Sequence, residues 1–301
     1  MTGTNKATRT NESENENETK TDTAQPAIRI DRGAEPNRRR ALLQFGTAVG
    51  AGALAGCATS TPSGASNGAG GKPKFQVVGS TIPIMGSDEV FPVRRIYCIG
   101  RNYAAHAIER GSDPTREPPF FFQKPNDAVQ LVPRGVTVDH PYPPVTTNYH
   151  YEVELVAALY KGGRNIRPDQ ALDCVYAYAV GLDMTRRDLQ NAMAAEKKPW
   201  EIGKSFDHSA VVSHLHPVSQ TGHFTKGAIS LKVNGQVKQS SDLSKMIWSV
   251  AEQIANLSTY NELFPGDIIY SGTPENVGPV VVGDVMTGHI DGLYDINVKV
   301  V

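Results

Sequence analysis

Tyr149-His-Tyr-Glu-Val-Glu-Leu-Val-Ala-Ala-Leu-Tyr160 and, farther on, Tyr176-Ala-Tyr-Ala-Val-Gly-Leu-Asp183 are two apolar runs, broken or ended by acids. Runs of this length rich in Val, Leu and Tyr read as strands. Side chains alternate faces along a strand, so Glu152 and Glu154 point the same way while Val153 enters the opposite layer. Two residues at the strand rise put the two Cβ atoms about 6.6 Å apart. Carboxylates that close repel unless a cation or a proton comes between them. Asp183, closing the second run, offers a third oxygen donor. Three carboxylates with room left for water and substrate suit a hard cation such as Mg²⁺. The competing reading is a solvated strand face that carries no ion.

Composition narrows the rest. The chain has 301 residues, enough for one large or two ordinary domains. Its 30 basic and 31 acidic residues leave a net charge of −1, so no bulk basic field argues for nucleic acid. Twenty-eight Gly and 20 Pro predict many turns rather than long helices. Three cysteines are too few for a disulfide framework, and Cys98 and Cys174 stand either free or paired. No apolar run reaches the roughly 20 residues of a membrane span.

The first part of the chain has a different texture. Residues 1–36 are polar and poor in large apolar side chains, which predicts disorder. Asn37-Arg-Arg-Arg40 then precedes a weakly apolar Ala/Gly run ending in Leu54-Ala-Gly-Cys57. Paired arginines, a short apolar segment and small residues are the parts of an export signal. They resemble a twin-arginine signal followed by a lipobox with Cys57 as the lipidated residue. The expectation is therefore a leader and export signal over 1–57, a flexible linker and lead-in over 58–90, and a catalytic domain over 91–301. Export would place the mature chain in the periplasm, with Cys57 as the expected membrane anchor; without a working leader it stays in the cytoplasm.

Within that domain, Arg95-Ile-Tyr-Cys-Ile-Gly100 reads as a strand and Arg101 to Arg110 as one or two helical turns stopped by Gly111. His106 and Glu109, three apart, share a helical face. A carboxylate beside an imidazole raises its basicity and orients it, as a general base requires, although a plain surface pair has the same spacing. Lys124 rides on the apolar run Pro118 to Pro125. Lys204 follows Gly203 between apolar residues, which suits either a salt bridge or an anion-holding group. His208, His214, His216 and His223 match no metal-ligand spacing and are assigned to loops. Asn234-Gly235 marks a hairpin, and Leu243, Ile247, Val250 and Ile254 predict an amphipathic helix over 243–255. Ser271-Gly-Thr-Pro274 ends a buried strand as a turn, with an amide and a hydroxyl able to take a carboxylate.

These segments taken in order resemble the fumarylacetoacetate hydrolase family. The resemblance is carried by Gly100-Arg-Asn-Tyr103 with His106 and Glu109, and by Tyr151-Glu-Val-Glu154. Gly181-Leu-Asp-Met-Thr-Arg-Arg-Asp188, Gly203-Lys-Ser-Phe206, Pro265-Gly-Asp267 and Ser271-Gly-Thr-Pro274 continue it. It implies a mainly β fold with a few helices, a mixed β-sandwich or roll, found as a homodimer. It implies Glu152, Glu154 and Asp183 as ligands of Mg²⁺, with Mn²⁺ or Ca²⁺ as alternatives. His106 and Glu109 match a water-activating dyad, Lys204 a catalytic lysine, and Arg101, Tyr103, Gln190 and Thr273 substrate-contacting positions. The activity implied is hydrolysis of a C–C bond in an acylpyruvate, with fumarylpyruvate as the expected substrate. The alternatives are acylpyruvase or oxaloacetate decarboxylase chemistry, a 2-oxo-dienoate isomerase, and an exported lipoprotein that binds small acids without turnover.

Overall fold

The computed structural model describes residues 74–111 and 117–301. The export-signal arginines, Cys57 and the 58–73 linker lie outside the described residues.

Strands dominate. The largest sheet has eight strands and runs in space Phe121–Lys124, Arg95–Ile99, Asp267–Tyr270, Val153–Leu159, Val175–Asp183, Ala210–Ser213 and Val129–Val132, with His216–Pro217 paired to the Val175–Asp183 strand. Its two acid-bearing strands are central antiparallel neighbours, with Glu154 opposite Gly181 and Val153 opposite Leu182. Gly181 is obligatory in this packing: a Cβ there would come within 2.6 Å of both Tyr270 and Val156. A five-stranded sheet, Gln236–Asp242, Ala228–Val233, Val285–Ile290, Ile296–Val300 and Thr137–His140, covers one face.

The strand period explains the layering. Val153, Leu155, Ala157 and Leu159 pack toward the five-stranded sheet with Ile229, Leu231, Met286 and Ile290. Val156 and Ala158, on the Glu154 face, join a second core with Ile82, Ile84, Phe91 and Ile268. Both faces of the sheet are therefore dry, and a polar side chain on it is kept only by a specific partner. The expected mainly β sandwich with a few helices is the observed fold.

One boundary is sharpened and another differs from the sequence expectation. The ordered domain starts before Phe91: Thr81–Pro83 pairs antiparallel with Val90–Pro92, and Ile82 and Ile84 are buried. In sequence the Ser- and Gly-rich tether spans 58 to about 74, with the folded domain starting near Lys74 or Phe91, and the buried isoleucines belong to the earlier of these starts. The long helix is Val250–Tyr260, not 243–255. Ser249 and Glu252 form a capping box that starts it, while Asp242 caps a separate short turn by accepting from Ser244 N at 2.8 Å. Between them Ile247 N and Trp248 N donate to Asn102 O and Oδ1 at 2.7 and 2.8 Å, which holds the chain extended. Cys98 and Cys174 are both free and buried.

One buried imidazole sets an acid limit on stability. His140 is fully buried, held between Gln130 Oε1 and Tyr149 OH. Burial lowers its pKa to about 4. The folded state thus disfavours the proton that the unfolded chain accepts near pH 6.5, so stability is full above that pH and falls between 6.5 and 4. The loss expected by pH 4 is about 3 kcal/mol. Urea midpoints at pH 7 and 4.5, compared with those of His140→Gln, check it: the variant should lose less on acidification.

Candidate metal centre and active site

Glu152, Glu154 and Asp183 converge. One oxygen from each lies within 4.8 Å of the others, and all three residues are buried. Glu152 occupies the break between Tyr149–Tyr151 and Val153–Leu159, where its carbonyl accepts from Asp183 N at 2.8 Å. That bond ties the two acid-bearing strands at their ends.

Three cations surround the acids. Lys204 Nζ reaches Glu152 Oε2 at 2.6 Å and Asp183 Oδ2 at 2.8 Å. Lys124 Nζ lies 2.8 Å from Asp183 Oδ1, and Arg187 grips Glu152 Oε1. Burial opposes ionisation of Glu152, but Lys204 and Arg187 overcome it and hold the carboxyl well below its usual range. Lys204 is likewise kept charged against its burial by Asp183 and Glu152. Glu154 differs. Its polar contact is the Gly272 N–H at 2.7 Å, and burial beside Asp183 and Glu152 pushes its carboxyl well upward. A carboxylate that no lysine or arginine side chain contacts among the described residues, set among two others, needs a proton or a cation. Oxygen-only donors at this spacing fit a hard divalent ion.

The base dyad is formed as the spacing predicted. The Ala104–Glu109 helix places His106 Nδ1 3.0 Å from Glu109 Oε2. Both Glu109 oxygens also accept from Asn276 N, at 3.1 and 3.2 Å, so the acid is pinned to the loop after Thr273. Burial lowers the His106 pKa despite Glu152 and Glu109. Its neutral, proton-accepting form therefore persists below the ordinary histidine range.

An open cavity of about 200 Å³ joins these parts. His106, Glu152, Glu154, Asp183, Lys204, Thr273, Gln190 and Arg101 all line it. Glu109 stands behind His106. Tyr103 is the exception: it is buried away from the cavity, where its backbone precedes the 104–109 helix and bridges Met246. Its neighbour Asn102 is also structural. The Asn102 amide donates to Trp248 O and Ser271 O at 2.9 and 2.8 Å, and Gly272, at φ 92°, admits it because a Cβ would come within 2.6 Å of Asn102 Cβ. The histidines assigned to loops form no metal group among the described residues. His216 sits instead in the His216–Pro217 strand and accepts from Tyr294 N at 3.3 Å.

Sequence reasoning missed Arg187 and Lys124 on the acids, Arg110, Asn191 and Trp200 in the cavity wall, and Gln239 behind Thr273. Arg187 stood in a quoted segment, but in Arg186-Arg187 nothing distinguishes the buried arginine from its neighbour. Lys124 offered one signal, a lysine inside an apolar run.

The description "Fumarylacetoacetate (FAA) hydrolase C-terminal" matches residues 95–301. A fumarylpyruvate hydrolase of Ralstonia sp is 49% identical over 191 residues, covering 64% of this chain and 97% of its own length. A mitochondrial oxaloacetate tautomerase of Homo sapiens is 38% identical over 207 residues, 69% of this chain and 91% of the relative. Among solved structures, the fumarylpyruvate hydrolase of Pseudomonas aeruginosa in complex with Mn²⁺ and pyruvate superposes with a TM-score of 0.75 at 56% identity. That match covers 76% of this chain and 99% of the other. Sequence, fold and site agree that this chain belongs to the fumarylacetoacetate hydrolase family.

Proposed function

We propose that this chain hydrolyses the C–C bond of an acylpyruvate, cleaving fumarylpyruvate to fumarate and pyruvate, with Mg²⁺ or Mn²⁺ held by Glu152, Glu154 and Asp183. The observation that carries this is the meeting of the acid triad, the His106–Glu109 pair and Lys204 in one cavity. A divalent ion bound there supplies Lewis acidity toward a chelating 2-oxo acid. His106, oriented by Glu109, takes a proton from water as the oxygen attacks the acyl carbonyl, and returns it to the methylene carbon released as pyruvate. Lys204 offsets the negative charge that develops on the pyruvate side as the bond breaks. Thr273 holds the 2-oxo acid carboxylate in line.

The acyl group follows from charge and length. The three carboxylates are balanced by Lys204, Lys124 and Arg187, so a divalent ion leaves the site two charges positive. Arg110 and Arg101 also line the cavity, so the positive excess suits a dianion better than a monoanion. Along the Arg187–Ala195 helix the cavity wall runs from Arg187, on Glu152, to Asn191 and Ala194. Arg110 is held there by Asn191 Oδ1 at 2.8 Å, about 6 Å along the axis from Arg187. Among the described residues Arg110 has no acidic partner within ion-pair distance, which suits the far carboxylate of a fumaroyl group.

Purified protein with Mg²⁺ or Mn²⁺, assayed on fumarylpyruvate, acetylpyruvate and oxaloacetate, tests the reading. Fumarylpyruvate should turn over best, and no turnover of any of the three by metal-loaded protein would overturn it. Activity lost in Glu152→Ala yet kept in His106→Ala would favour decarboxylase or isomerase chemistry instead. Arg110→Met should raise KM for fumarylpyruvate about tenfold and leave acetylpyruvate within about twofold. On the acid side, kcat/KM should fall with an apparent pKa below 6.5, because activity is lost only as His106 gains its proton.

Arg38–Arg40 with Leu54–Cys57 support export and lipidation in the same proposal, and family resemblance supports a homodimer. Mass spectrometry of the mature N-terminus and sedimentation of the purified chain test these.

A further inference from the structure

Gln239 is the one residue of its polar strand that turns fully inward. In Gln236-Val-Lys-Gln-Ser-Ser-Asp242 its neighbours Lys238 and Ser240 are exposed, while Gln239 has no solvent-exposed surface. A bulge produces this. The register with Ala228–Val233 shifts between Leu231, opposite Gln239, and Lys232, opposite Val237, so Lys238 is the extra residue. Gln239 thereby shares the inner face with Leu231, a position where the sandwich is otherwise apolar.

A buried amide on such a face persists only if its donors and acceptor are used. Gln239 uses both ends. Its Oε1 accepts from Val153 N at 3.1 Å, the peptide between the two glutamates of the triad. Its Nε2 donates to Thr273 Oγ1 and Pro274 O, each at 2.9 Å, with Glu275 O at 3.3 Å. The same loop continues to Asn276, whose N–H holds Glu109 of the dyad. One side chain therefore spans the acid strand, the carboxylate-holding hydroxyl and the loop that anchors the base.

We propose that Gln239 is a positioning residue that sets Thr273 and its loop relative to the acid triad, and so fixes how a chelating carboxylate sits between them. This rests on the metal reading of the triad. By accepting the Gln239 N–H, Thr273 Oγ1 is left with its own proton to donate toward the cavity. Without Gln239 the hydroxyl is free to rotate, and the Val153 peptide loses its acceptor.

The test reads binding rather than turnover. Mn²⁺ affinity is measured by electron paramagnetic resonance on the full chain. Oxalate, a planar mimic of the pyruvate enolate, is then titrated calorimetrically into the Mn²⁺-loaded protein. Gln239→Met, isosteric and unable to hydrogen-bond, is compared with Thr273→Val and with the double variant. Gln239→Met should bind one Mn²⁺ per chain and weaken oxalate about tenfold. Because Gln239 acts through Thr273, the double variant should be no more than about threefold worse than the poorer single. Wild-type oxalate affinity in Gln239→Met, or losses that multiply in the double variant, would overturn the proposal. If Gln239→Met does not fold, Gln239→Asn, one methylene too short to span both partners, is read in the same way. Failure of fumarylpyruvate cleavage in wild type would sink the hydrolase reading and leave these binding results standing, so the two failures are distinct.

Discussion

Glu154→Gln should abolish turnover, by at least about a thousandfold, while making the metal-stripped protein more heat-stable. Both effects have one cause. Glu154 is buried against Asp183 and Glu152, and its contact is a backbone N–H from Gly272 rather than a lysine or arginine. Glu152 and Asp183 each touch a cationic side chain, so they tolerate the dry interior. Without metal Glu154 sits there only by taking up a proton against its ordinary ionisation; a neutral amide of the same shape avoids that cost, and the metal-free fold gains. The same change removes the donor that most needs a cation, so Mn²⁺ affinity falls and the Lewis-acid contribution goes with it. Calorimetric unfolding in EDTA, Mn²⁺ titration and steady-state rates measure the three consequences on one sample. A variant that lost activity but bound Mn²⁺ as tightly as wild type would remove Glu154 from the metal centre.

His106→Ala should lower kcat by about a hundredfold to ten-thousandfold and leave Mn²⁺ and oxalate binding unchanged. The imidazole is held only 3.0 Å from Glu109 and does not touch the acid triad by any hydrogen bond, so its loss removes proton transfer without disturbing the ligands. Glu109→Gln should cost less, because the Gln side-chain oxygen can still accept from Asn276 N and keep the loop in place. It should also shift the acid limb of the pH–rate profile downward, since a neutral amide no longer favours the imidazolium. Equal losses in both variants, with no shift in that limb, would mean that Glu109 does more than orient the base.

The acids were legible because they interrupt strands that are otherwise apolar. Glu152, Glu154 and Asp183 break the hydrophobic pattern in a way that solvent cannot repay once both faces of the sheet are covered. The dyad was legible because a three-residue spacing on a helix needs no distant information. Tyr103 was not: an aromatic residue beside a site motif can face the cavity or the core, and the bridge to Met246 turns it into the core. The helix over 250–260 was misplaced by one turn and more. Its apolar spacing extends back through 243 and 247, but the Ser249–Glu252 capping box starts the helix later and Asn102 holds Ile247 and Trp248 extended before it.

By itself the sequence determined the strand-rich class, the three acids, the His106–Glu109 pair and the lysine that serves them. Local pattern marked these residues as candidates, by charge inside an apolar run or spacing on one helical turn, and the resemblance of the ordered segments to the family implied their roles. The tertiary structure alone decided which cations balance the acids, that Arg110 stands along the Arg187–Ala195 helix, and that Gln239 joins the acid strand to the Thr273 loop. Arg187 and Gln239 lie in polar segments, and Lys124 in an apolar run that does not say which acid it meets. Lys124 and Gln239 are buried by strand pairing and a bulge, and Arg187 by its helix meeting Glu152; contact between distant segments leaves no mark on either segment's own periodicity.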